Sequence, residues 1–168
     1  SVNLLPLRLA AQVTRGSRQN TPIDTVVIHV TEGGFDGTLN WFEHGAPASA
    51  HYVIALDGRI CPCVPEEQAA WHAGNKAVNL RSIGIELEGH TETLHVPAEQ
   101  MLALGDLVCD IRRRHPDIGL DRDHLIGHCE VPDPTHPGLF GGAGHHIDPG
   151  PHFDWTLFLA QLVPDFSV

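Results

Sequence analysis

The chain has 168 residues, 42% of them hydrophobic, which suits one domain of ordinary size with a single core. No apolar run approaches about 18 residues, so a transmembrane helix is excluded. With 21 acidic residues against 10 basic ones and a net charge of -11, the chain lacks the basic face that a nucleic-acid partner requires.

Residues 1–22 carry Leu4, Leu5, Leu7 and Leu9 among proline and polar residues and are expected to form an N-terminal arm, with the catalytic domain running over 23–168. Thr25–Val30 is a continuous β-branched run and predicts a buried strand. His29 interrupts that run, and a buried imidazole needs polar partners or a metal. Thr38–His44 predicts a short helix stopped by Gly45. His51–Leu56 and Arg59–Val64, joined by Asp57-Gly58, predict a hairpin. A loop with Trp71 and His72 follows, then a buried strand over Ser82–Leu87. Pro97–His115 is the longest expected helix, with Met101, Leu102, Leu104, Val108, Cys109 and Ile111 on its apolar face. The basic run Arg112-Arg113-Arg114 ends it and complements its dipole. Asp123–His128 reads as a short strand entering a long loop rich in Pro, Gly, His and Asp, and loops of that length are usually functional. Asp154 caps a last amphipathic helix over Trp155–Val163. The order predicts an α/β fold, a mixed central sheet flanked by helices.

Histidine is the compositional outlier, at 13 residues. A serine mechanism lacks its Gly-x-Ser-x-Gly elbow. A Cys–His dyad would need Cys129 paired with a histidine other than His128, its strand neighbour. A metal site is the remaining option. His29 and His128 sit at or near strand ends, and catalytic zinc takes three protein ligands. His136, His145, His146, Asp148 and His152 all remain open as the third. Glu86 is a carboxylate inside an apolar strand. It is either a general base beside a metal or the partner of a cation such as Arg81. Of the four cysteines, Cys61-x-Cys63 has the wrong spacing for a zinc knuckle, and an even count permits disulfides.

Four segments together resemble the zinc-dependent N-acetylmuramoyl-L-alanine amidases, a family that includes phage lysis amidases and animal peptidoglycan recognition proteins. They are Val27–Gly33; Ser49–Ile54 with Asp57-Gly58; Ala70–Asn75 with Asn79 and Ser82–Gly89; and Ile126–His128 with Asp148–Pro151. The resemblance covers about residues 23–163. It implies Zn2+ held by His29, His128 and Asp148, with Glu86 as the base. It places His146 where the family often carries a lysine that steadies the oxyanion. His72 would contact the substrate or support the site, and Trp71, Asn75 and Asn79 would contact the peptide stem or sugar or else structure their loop. The implied reaction is hydrolysis of the bond between N-acetylmuramic acid and L-alanine in peptidoglycan or a muropeptide, by a monomer. The cysteines lean toward a secreted, periplasmic or cell-wall-associated protein. The alternatives are a non-catalytic wall-binding module and a cytoplasmic muropeptide-recycling amidase. The stretch from about Pro132 to Gly144 is longer than in the shorter relatives and is expected as a surface loop beside the cleft.

Overall fold

The computed structural model describes residues 2–132 and 146–162. In chain order the elements are β1 (Arg15–Ser17), β2 (Thr25–Val30), α1 (Phe35–Glu43), β3 (Tyr52–Ile54), β4 (Ile60–Pro62), β5 (Gln68–Ala70), α2 (Lys76–Arg81), β6 (Ser82–Leu87), α3 (Ala98–Arg114), β7 (Leu125–Gly127) and α4 (Trp155–Gln161). Among the described residues, five strands form a mixed sheet in the order β4-β3-β6-β2-β7, and β1 pairs with β5 in a small separate sheet. Only the β3–β4 hairpin is antiparallel within the larger sheet. The expected α/β architecture is therefore the one observed.

The central strands are buried on both faces, as parallel strands generally are. Because side chains alternate, each strand serves two layers. Val26, Ile28 and Val30 of β2 and Ile83, Ile85 and Leu87 of β6 face one core with Met101, Leu104, Leu107, Val108 and Ile111 of α3 and Phe158 of α4. The intervening residues Val27, His29, Gly84 and Glu86 face the opposite side. There Val53 packs with Phe35, Leu39 and Phe42 of α1. That alternation sets His29 and Glu86 apart from the large apolar core.

The N-terminal segment runs along the outer edge of the sheet, where Leu5, Arg8 and Ala10 donate backbone hydrogen bonds to Ile60, Pro62 and Cys63. Such a cover removes an open edge that could pair with another chain.

Several boundaries differ from expectation. Helix α1 begins at Phe35, earlier than Thr38, because the Glu88 carboxylate accepts from Phe35 N at 3.0 Å and supplies the cap that Gly34 lacks. Gly45, at φ +90°, ends it as expected. Pro97 stands as the N-cap of α3. Leu102 is 59% exposed and lies off the buried face of α3, whereas Leu107 completes that face. The elements β5 and α2 fall in what reads as loop; α2 buries no residue and so carries no periodic apolar signal. The final helix ends at Gln161 with Asp154 capping it, its side chain accepting from Leu157 N; Val163 lies outside the described residues. So does most of the long Pro/Gly-rich loop.

One ionic cluster clamps the hairpin to the end of α3. Glu66 accepts from Arg114 at 2.8 and 2.9 Å, from His115 Nε2 at 2.8 Å and from the Tyr52 hydroxyl. Burial alone would raise this carboxyl, but the hydrogen bonds from Arg114, Tyr52 and His115 hold it at about 2 instead of the ordinary 4.5. A depressed carboxylate stabilises the fold above its unfolded value, and that contribution is lost as pH falls toward the folded value. Wild type should therefore lose stability between pH 4.5 and about 2. Glu66→Gln should be destabilised at pH 7 by about 2 kcal/mol, since Arg114 is partly screened by solvent. Its thermal midpoint should fall less steeply over that acid range, as checked by calorimetry.

Candidate metal centre and cleft

The parallel register of β2 and β6 sets His29 beside Glu86 on one face. His128 follows β7 at the start of a 3-10 turn, and the strand residues before it pair with Val26 to Ile28. Asp148 arrives from the far end of the long loop. Its backbone oxygen accepts from Cys129 N at 2.9 Å, and its carboxylate accepts from Val30 N at 3.3 Å.

Three donor atoms converge there. His29 Nδ1 lies 3.1 Å from His128 Nδ1 and 3.5 Å from Asp148 Oδ2. His128 Nδ1 lies 3.3 Å from Asp148 Oδ1. The group could hold a metal ion, since its donor atoms all lie within 4.8 Å of one another. Bonds of roughly 2.0–2.1 Å arranged as a tetrahedron give an edge of about 3.3 Å, close to all three separations. Glu86 Oε1 stands 4.0 Å from His29 Nδ1, just outside the triangle. Glu86 Oε2, beside the triangle, is buried without a hydrogen-bond partner among the described residues. A buried polar atom left open there fits a site that takes a further group.

The electrostatics fit that reading. Burial pushes the Glu86 carboxyl up to about 8, and the charges of Asp148 and Glu32 add to the rise. Burial opposes the Asp148 charge as well, yet hydrogen bonds from His128 and His29 hold it well below the usual carboxylate range. Burial also lowers His29 and His72, so both imidazoles are neutral near pH 7. Arg81 does not reach Glu86. It pairs with Asp24 at 2.7 and 2.8 Å, which overturns the ion-pair alternative for the strand carboxylate.

Of the alternatives for a third ligand, His152 is exposed, and His136 and His145 lie outside the described residues. His146 stacks on His128, with ring centroids 4.0 Å apart. Burial and the charge of Glu130 raise the Cys129 thiol, opposite to what a nucleophile needs.

The centre floors a cleft of about 900 Å³ lined by Trp41, Trp71, His72, Asn75, Asn79 and His146. A second hollow of about 480 Å³ meets it at Asp148 and His146. Trp71 is 50% exposed on the rim. The carboxamides of the two asparagines also brace the wall. Asn79 accepts from His72 N and Ala73 N, while Asn75 caps α2 and donates to Pro132 O.

Sequence reasoning passed over Trp41, and also two glycines that make room for the site. A Cβ on Gly84 would stand 2.6 Å from the His72 ring, and one on Gly127 would stand 2.6 Å from Pro149 Cδ. A glycine inside a strand is the available signal for such close approach. Asp148→Ala should abolish stoichiometric metal binding, measured by elemental analysis of the purified protein. Gly127→Ala, which forces Pro149 and hence Asp148 aside, should weaken it by about tenfold or more. Full metal content in Asp148→Ala would move the third ligand elsewhere.

The chain is similar to proteins of one known family. The family model described as N-acetylmuramoyl-L-alanine amidase matches residues 19–151. The 1,6-anhydro-N-acetylmuramyl-L-alanine amidase AmpD of Citrobacter freundii is 36% identical over 122 residues, 69% of this chain; the chain spans only 58% of that relative's length. N-acetylmuramoyl-L-alanine amidase A of Achromobacter lyticus is 32% identical over 156 residues, 84% of each chain. Among solved structures, the amidase AmiD from Escherichia coli, in complex with anhydro-N-acetylmuramic acid-L-Ala-D-gamma-Glu-L-Lys, superposes with a TM-score of 0.68 at 28% identity, covering 90% of this chain and 60% of that one. With its fold and about four-fifths of its length matched, the chain belongs to the N-acetylmuramoyl-L-alanine amidase family.

Proposed function

We propose that the protein is a zinc hydrolase that cleaves the amide between the lactyl group of N-acetylmuramic acid and L-alanine. The observation that carries this reading is the triangle of His29, His128 and Asp148 with Glu86 beside it. Two imidazoles and one carboxylate are a donor set suited to catalytic zinc. When bound, zinc supplies a Lewis acid that polarises a carbonyl and lowers the pKa of water toward about 7.

The protein's own groups complete the chemistry. Glu86 takes the proton of the water that attacks the lactyl carbonyl. A carboxyl raised toward the neutral range can accept that proton and return it. His146, stacked on His128 and lining the cleft, would hydrogen-bond the developing oxyanion. As the carbon–nitrogen bond breaks, the proton passes from Glu86 to the leaving nitrogen. The products are a lactyl-muramic acid and a peptide with a free L-alanine amine. Two hollows meeting at Asp148 suit a substrate that extends both ways from its scissile bond. Trp71, His72, Asn75 and Asn79 face it on the larger side. The relatives' names and the neighbour's bound substrate favour a muropeptide bearing an anhydro sugar. A secreted, periplasmic or wall-associated location belongs to the same proposal, and a cytoplasmic one belongs to the recycling reading.

Glu86→Ala should keep its zinc and lose roughly 10²–10⁴-fold in kcat. The assay is release of L-alanine-terminated peptide, followed by mass spectrometry, from a soluble anhydro-muropeptide and from intact wall in parallel. Cleavage of the soluble substrate alone would mark recycling, and cleavage of both would mark wall lysis. Wild-type turnover by Glu86→Ala would sink the mechanism.

A further inference from the structure

The imidazole of His29 has two nitrogens, and the donor triangle uses Nδ1. The other, Nε2, lies 2.9 Å from His72 Nδ1, and His72 Nε2 lies 3.0 Å from Ser82 Oγ. His29, His72 and Ser82 are all buried. A nitrogen can bind a metal only without its proton, so a neutral His29 that binds through Nδ1 carries its hydrogen on Nε2. That N–H needs an acceptor, because the His29 ring is buried. The atom facing it is His72 Nδ1. If His72 were doubly protonated, it would present a hydrogen to the hydrogen of His29. Accepting at Nδ1, it carries its own hydrogen on Nε2 and gives it to the Ser82 hydroxyl.

The ring of His72 is fixed from two further directions. Its backbone N–H donates to Asn79 Oδ1 at 3.2 Å, and Gly84 leaves space for the ring where a Cβ would collide with it. The usual partner of a ligand imidazole's second nitrogen is a carboxylate, a carbonyl or water. Here an imidazole backed by a hydroxyl fills that place.

We infer that His72 and Ser82 are positioning residues, which hold His29 in the tautomer that presents Nδ1 to the metal. This rests on the metal centre proposed above and adds a role that contact with substrate would not require.

The test reads zinc itself. Zinc affinity is measured by competition with a chromogenic chelator for wild type, His72→Asn, His72→Phe and Ser82→Ala. The carboxamide oxygen introduced by His72→Asn would stand near the position of the imidazole Nδ1 and keep an acceptor there. His72→Phe should bind zinc about 10–100-fold more weakly, Ser82→Ala about 3–10-fold, and His72→Asn within about threefold of wild type. Wild-type affinity in His72→Phe overturns the inference. So does an equal loss in His72→Asn, which would reduce the residue to packing. Long-range proton–nitrogen NMR on zinc-loaded wild type gives a readout that needs no variant to fold. His29 and His72 should each carry their hydrogen on Nε2, and a His72 hydrogen on Nδ1 overturns the assignment. Wild type that binds no stoichiometric zinc would overturn the metal centre together with this role, whereas tight zinc with the wrong tautomer overturns this role alone.

Discussion

The in-register parallel pairing of β2 with β6 is the constraint on which the site depends. It sets His29 directly beside Glu86, with Val27 beside Gly84 one step earlier on the same face. A slip of one residue in either strand would turn that strand's polar side chain, His29 or Glu86, into the apolar layer beneath α3 and bring apolar residues up in its place. The large core prevents that slip, because Ile28, Ile83, Ile85 and Leu87 are fully buried against Leu104, Leu107 and Ile111. Packing on one side of the sheet therefore fixes the chemistry on the other.

The polar side of the sheet holds together by a different logic. Burial raises one carboxyl, Glu86, while hydrogen bonds keep its neighbour Asp148 ionised. Carboxylates with opposed environments can divide their roles, one as a fixed negative donor and the other as a group that exchanges a proton. His29 between them stays neutral because the low-dielectric interior disfavours its charge.

The wall of the cleft is tied down by a buried cation. Arg18 donates to the carbonyl oxygens of Glu66, Asn79 and Leu80 and lies 2.9 Å from His51 Nε2. His51 Nδ1 accepts from Gly84 N, and its Nε2 lies 2.8 Å from Gln68 O. Burial brings the guanidinium down to about 10, still far above neutral pH, so it remains charged. This knot joins β1, β5, α2 and the central sheet next to His72. It adds to the Asn79 and Arg81 bonds that hold the short α2 helix beside the cleft.

The sequence by itself determined what is written in local pattern. The β-branched run around His29, the Asp57-Gly58 hairpin, the long helix α3 and the Asp154 cap are all legible, because each depends on near neighbours in the chain. The resemblance to a family supplied the substrate and a ligand set, which residue chemistry alone left open between one aspartate and several histidines. Tertiary structure decided the contacts between distant residues. It drew Asp148 to His29 and His128, gave Arg81 to Asp24, and started α1 early through a carboxylate 53 residues away. It also turned His72 toward His29 across a gap of 43 residues. Local periodicity reports which face a side chain takes, but a donor triangle is fixed by where separate strands end. That is set by sheet order and register, which no short segment encodes.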